Sequence, residues 1–164
     1  MSAITTNDPA VSAISWLFGS RAYGEDAKLV KQQLCEIERE DRSEIGEKKR
    51  EVLHALEDEF RRACSMNWDG YGALPADPFS YNYAGEFLRL LPSHVPNPEI
   101  SVDPDGEISM EWDCGPRNVF SVSVGRDGTL TYAGLFGYNK AHGTEIYSGH
   151  IPANISTNLN RVLK

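Results

Sequence analysis

Ile100-Ser101-Val102-Asp103-Pro104-Asp105-Gly106-Glu107-Ile108-Ser109-Met110-Glu111-Trp112 decides the fold. Apolar and polar residues alternate on both sides of a turn. Successive side chains of a strand point to opposite faces, so Ile100 and Val102, then Ile108, Met110 and Trp112, line one buried face. Asp-Pro-Asp-Gly between them is turn chemistry, because proline presets its φ and glycine accepts a positive one. The rhythm repeats downstream. Phe120, Val122 and Val124 alternate with Ser121 and Ser123, Arg126-Asp127-Gly128 turns the chain, and Leu130, Tyr132 and Phe136 continue the pattern. A fifth strand is expected from Thr144 to Tyr147. Strands joined by short turns predict an antiparallel meander of four or five strands with one face buried and one wet.

Helical signals flank the meander. Asp77-Pro78 reads as an N-cap followed by proline at the first helical position. Ala84, Phe87, Leu88 and Leu91 then form a core stripe that stops before Pro92. At the other end Ile155, Leu159, Val162 and Leu163 read as a short helix with Ser156 as its cap. The fold class is therefore α+β: an antiparallel sheet packed with one or two helices.

Upstream the rhythm changes to 3.6. Residues 25–64 hold no proline and one glycine, Gly46, and are dense in good helix formers. Leu29, Val30, Leu34 and Ile37 make one apolar stripe. Val52, Leu53, Leu56, Phe60 and Ala63 make a second. Both need something to bury against. A helical hairpin, or one helix interrupted near Gly46, is expected, either packing the stripes on each other or using them for self-association. Eleven of the 14 glycines and eight of the nine prolines lie beyond residue 66. The chain thus divides into a helical arm or hairpin over 1–66, serving association, and a sheet domain over 67–164.

Composition removes several functions. In 164 residues, 16 Lys and Arg face 24 Asp and Glu, a net charge of −8. Such a field repels phosphate backbones and anionic membranes, so direct nucleic-acid binding is not expected. It favours a basic partner. Cys35, Cys64 and Cys114 form no CxxC pair, so neither a zinc site nor a disulfide framework is indicated, and reduced thiols point to a cytoplasmic location. No stretch reaches the ~18 apolar residues of a membrane span. The apolar run over 10–18 follows Asp8, lacks a basic leader region, and reads as a short docking helix.

Four motifs bear on chemistry. Gly19-Ser20-Arg21-Ala22-Tyr23-Gly24 resembles the phosphate-holding turn of minimal nucleotidyltransferases, but the Asp-x-Asp pair that binds their magnesium ions is missing downstream. Asn67-Trp68-Asp69-Gly70-Tyr71-Gly72-Ala73 sets two aromatics and a carboxylate in a glycine-rich turn. Trp68 and Tyr71 there form either a binding platform, with Asn67 and Asp69 as hydrogen-bonding partners, or anchors of the loop into the core, with Gly70 and Gly72 at positive φ. His142-Gly143-Thr144-Glu145, with His150 beyond, is placed in a loop. It holds acid–base residue types without a third metal ligand or a nearby nucleophile. Glu111 and Asp113 flank Trp112 on the wet strand face, and Met110 belongs to the core.

Residues 67–164 resemble a family of small bacterial proteins with no established activity. The likeness rests on Asn67-Trp68-Asp69-Gly70-Tyr71-Gly72-Ala73, Phe87-Leu88 with Leu91-Pro92, and Pro98 through Ile108. It continues in Glu111-Trp112, Phe120 through Gly125, Tyr132 through Gly137 and His142-Gly143-Thr144-Glu145. It implies a shared fold and leaves function open; no catalytic residue, metal or cofactor is expected. The expected function is a non-enzymatic protein–protein interaction module of an accessory, antitoxin-like or phage-inhibitor type. Its binding loops would contain Asn67, Trp68, Asp69, Tyr71, His142 and Glu145, and the N-terminal helices would mediate association. The alternative is a small-ligand binder or hydrolase-like enzyme in which the 68–71 and 142–145 loops converge.

Overall fold

A computed structural model describes residues 25–164, and within its first helix the side chains of residues 33, 36, 44 and from 46 onward. The helix expected over 10–18, the Gly19-Ser20 turn and the side chains of Leu29, Val30, Leu34 and Ile37 lie outside the described residues. The described elements are α1 (Glu25–Arg62), α2 (Pro78–Leu90), β1 (Glu99–Val102), β2 (Ile108–Asp113), β3 (Asn118–Val124), β4 (Thr129–Phe136), β5 (Asn139–Ile146) and α3 (Ala153–Val162). The chain forms two compact units, Met1–Arg42 and Ser43–Lys164. Of the first, the described part belongs to α1. All contacts below lie in the second.

The protein is α+β. Its sheet is a five-stranded antiparallel meander in the order β1-β2-β3-β4-β5. Register follows the alternation read in the sequence. Val102 pairs with Ile108, Ile108 with Val124 and Val124 with Leu130, all on the buried face. Phe120, Val122, Ile108, Met110 and Leu130 are fully buried there, and Trp112 nearly so. Each such side chain contributes about 1.5–3 kcal/mol relative to exposure. α2 packs on β2 and β3, and α3 packs on β3 and β4. The opposite face carries Glu99, Ser101, Ser109, Glu111, Asp113, Ser121 and Ser123.

α2 begins as its sequence dictates. Asp77 caps it, its Oδ1 accepting from the Phe79 N–H at 2.8 Å and the Ser80 N–H at 3.3 Å, with Pro78 at the first turn. Ala84, Phe87, Leu88 and Leu91 are buried. α3 differs from expectation at its start. The helix begins at Ala153 with Pro152 before it and no side-chain cap, so Ser156 sits inside the first turns. Proline presets the entry φ by itself and leaves the hydroxyl no capping task. Ile155, Leu159 and Val162 are buried as expected.

α1 runs through Gly46 as one helix, so among the described residues neither a hairpin nor an interruption forms. A lone glycine costs about 1 kcal/mol relative to alanine. That is too little to break a run of Glu, Lys and Arg. The second stripe of α1 is buried within the sheet unit: Val52, Leu56 and Ala63 join its core, and Leu53 and Phe60 pack against it. The Phe60 and Tyr81 rings lie 4.6 Å apart, joining α1 to α2.

The turn between β1 and β2 is held by its neighbours. Gly106 has φ +91°, and a β-carbon there would lie 2.5 Å from the Pro75 carbonyl oxygen. Gly137 also has a positive φ, +65°, but faces open space. Gly106→Ala is therefore expected to cost at least 2 kcal/mol more than Gly137→Ala, because it adds a backbone collision to the ~1–3 kcal/mol of conformational strain that both share. Urea unfolding of the two variants checks this. Equal losses would show that the 75–106 contact does not constrain the fold.

Candidate functional site

The 67–74 loop is built from its own polar groups. The Asn67 N–H donates to the Ala73 carbonyl at 2.8 Å, closing the loop on itself. Asn67 Oδ1 accepts from the Gly72 N–H at 2.7 Å. Asp69 Oδ1 accepts from the Tyr71 N–H at 2.8 Å and the Ala73 N–H at 3.1 Å. Gly70 and Gly72 take positive φ, as the sequence required, and Asn67 does so too at 58°. Asparagine is among the side chains that tolerate this region.

The two aromatics part company. Trp68 packs against the core, and its Nε1–H donates to the Leu74 carbonyl at 2.9 Å. Tyr71 points away and is 94% exposed. The pair therefore forms neither a shared platform nor a shared anchor: one side chain holds the loop and the other is displayed by it. Met66 and Leu74, which flank the closing hydrogen bond, are also exposed, as is Phe79 at the start of α2. Among the described residues, four of the seven exposed large hydrophobics fall within 66–79. The sequence reading missed Met66, Leu74 and Phe79. Their only signal was an apolar side chain outside any periodic stripe.

This loop is joined to the β1–β2 turn. The Leu74 N–H donates to the Pro104 carbonyl at 2.8 Å, and the Asp77 N–H to the Gly106 carbonyl at 2.9 Å. An open hollow of about 490 Å³ adjoins the junction, lined by Leu74, Pro75, Ser80, Glu107 and Arg126 among others. Arg126 faces Asp77 at 3.8 Å, too long for more than a weak, exposed ion pair. Ser80 is fully buried, and its hydroxyl has no partner.

His142 and Glu145 are not in a loop. They belong to β5, which pairs along its whole length with β4 across the two-residue turn Gly137-Tyr138. The leading glycine, at positive φ, suits such a hairpin. Strand alternation sends positions three apart to opposite faces. His142 is exposed, in the wet-face row Glu99, Glu111, Ser121, Ala133, His142. Glu145 lies on the helix side, where it accepts from Asn154 Nδ2 at 2.6 Å in the first turn of α3. His150 contacts Ser148 Oγ at 3.2 Å.

The junction of loop 67–74 sits at the β1–β2 end of the sheet, and β5 is the far edge. Three strand spacings from β2 to β5 span about 14 Å. Asp69 and His142 are not brought together. Glu111 and Asp113 are exposed on the wet face, and Met110 and Trp112 are buried, as read from the alternation. Among the described residues no group of three His, Cys, Asp or Glu side chains is placed to hold a metal ion, and no helix is long and apolar enough to cross a membrane. Comparison with protein-family models, curated proteins and solved structures yields no match.

Two measurements examine the site. Removing a buried hydroxyl that bonds to nothing relieves a desolvation cost. Ser80→Ala is thus expected to raise unfolding stability by about 1 kcal/mol, and a loss of that size would mean the hydroxyl has a partner. The Asp69 carboxyl is held below its usual range, chiefly by the Tyr71 N–H, against an opposing desolvation and with further help from the Ala73 N–H. A carboxylate held low stabilises the loop fully above its unfolded pKa, and that support fades as pH falls through the folded value. The Tyr71 amide resonance should titrate with a midpoint below the ordinary Asp value of about 3.9. Asp69→Asn should abolish that titration. A midpoint at or above the ordinary value contradicts the hydrogen-bond geometry.

Proposed function

We propose that this chain is a non-enzymatic protein–protein interaction module of the accessory, antitoxin-like or phage-inhibitor kind, acting in a bacterial cytoplasm, and that the 67–74 loop is its recognition element. The observation that supports this reading is the exposed Tyr71 on a loop whose backbone is already hydrogen-bonded. Tyrosine brings a large amphipathic surface with few rotatable bonds, and it is enriched among residues that dominate binding energy. A loop ordered before contact loses little entropy on binding. The neighbouring Leu74 and Phe79 enlarge the apolar surface. The net charge of −8 favours a basic partner through faster, steered encounter.

The N-terminal helix supports self-association in the same reading. Its second stripe, Val52 to Ala63, is committed to the core. The alternative, a hydrolase-like or small-ligand site, required the 68–71 and 142–145 segments to meet. The sheet order works against it, as does the engagement of Glu145 with α3.

Immobilised full chain and Tyr71→Ala are compared for proteins retained from an extract of cells that make the protein. The Tyr71 side chain is fully outside the fold, so stability should change by no more than about 0.5 kcal/mol. Retention of the partner should fall at least tenfold. An identical set of proteins on both, or none on either, defeats the proposal.

A further inference from the structure

A second feature lies away from the loop, between α1 and α2. Arg50, Leu53, His54 and Glu57 recur at one helical face of α1. Tyr81, Gly85 and Arg89 recur every four residues on α2. These two faces enclose a groove of about 240 Å³, which Leu56 and Asn82 also line. In a chain of net charge −8, this groove is basic.

Its cations lack counterions. The ion pairs among the described residues join Lys48 to Glu44, Arg61 to Glu57, Arg62 to Glu59, and Arg126 to Asp77. Arg50 and Arg89 appear in none of them. Glu57 is the groove's one acid, and it is engaged by Arg61 outside it. Arg89 is exposed, yet its side chain keeps to the helix surface. Its guanidinium folds back one turn over Gly85, where a β-carbon would stand 3.2 Å from Nη1 and 3.7 Å from Leu56 Cδ2. Glycine at 85 thus lets α1 approach α2 and leaves the guanidinium its place on the groove wall. Long helical side chains point toward the N-terminus, which carries this one toward Tyr81 and Asn82.

We propose that this groove binds a phosphate-type oxyanion. Arg50 and Arg89 both line the groove and neither is ion-paired among the described residues, so an oxyanion there supplies the missing counterion. The guanidinium fork matches phosphate oxygens two at a time. Tyr81 and Asn82 bring uncharged donors to the same wall. The groove is smaller than the ~300–1,000 Å³ of typical organic-ligand pockets. It suits inorganic phosphate or a phosphomonoester with a short stem against Leu53.

The test is a titration of the full chain, followed by backbone amide resonances, with inorganic phosphate and with glycerol phosphate at constant ionic strength. Acetate and chloride serve as controls. Shifts confined to residues 50–57 and 81–89 are expected. Arg50→Gln and Arg89→Gln should each weaken binding at least tenfold, and Glu57→Gln should strengthen it severalfold. Both arginines are exposed, and thermal unfolding of each variant confirms that the fold is intact. Gly85→Ala, which displaces only the far end of Arg89, should weaken binding as well. Tighter binding of glycerol phosphate marks a phosphomonoester site, and equal binding a site for free phosphate. Absence of shifts, equal shifts with acetate or chloride, or binding indifferent to both arginine substitutions would overturn the proposal.

Discussion

Two backbone hydrogen bonds, Leu74 to Pro104 and Asp77 to Gly106, join the segment entering α2 to the first turn of the sheet. Much of the molecule depends on that junction. Asp77 uses its N–H for the junction and its carboxylate to cap α2. The start of the helix and the turn are therefore positioned by one residue. A helix started there carries Ala84, Phe87 and Leu88 over β2 and β3, and α2 in turn seats Leu56 and Phe60 of α1. Only glycine at 106 allows the approach, because any β-carbon would strike the Pro75 carbonyl. The displayed loop shares this support, since its closing residues lead directly into the junction.

The far side of the sheet is secured by a different device. Gly143 on the edge strand pairs with Tyr132, whose ring occupies the place a side chain would take: a β-carbon at 143 would lie 2.5 Å from the Tyr132 hydroxyl oxygen. Gly134 likewise makes room for the rings of Phe136 and Phe120. Strand glycines normally weaken a sheet, yet here the cross-strand aromatic covers the gap. β5 is therefore a full strand although Lys140, Ala141, His142, Gly143, Thr144 and Glu145 include no large apolar residue.

Net charge describes this protein poorly at the scale of a binding site. The wet sheet face runs from Glu99 and Glu111 at one edge, through a row of Ser101, Ser109, Ser123, Thr131 and Thr144, to Lys140 and His142 at the other. The groove between the helices is basic, while the turn beside Ser80 is rich in carboxylates. A Debye length of about 8 Å at physiological salt keeps such regions electrically distinct. The expectation against nucleic acid rests on net charge, a long-range quantity, and does not extend to a small anion beside local arginines.

By itself the sequence determined the elements whose rhythm is local. Period-two alternation marked β1 to β4 and the faces of Met110, Trp112, Glu111 and Asp113. Asp77-Pro78 marked the start of α2, and Gly70 and Gly72 marked their own backbone conformations. These features depend on residues within a few positions of each other, so composition and spacing carry them. Tertiary structure decided the rest. It placed His142 and Glu145 on opposite faces of an edge strand, which forms by pairing along its length with β4 rather than through apolar side chains of its own. It sent Trp68 inward and Tyr71 outward, since a glycine-rich turn has no period from which direction can be read. It gathered Arg50 and Arg89 into one groove from positions 39 residues apart. Such encounters depend on how α1 lies across α2, and packing sets that, through Leu56 meeting the gap at Gly85.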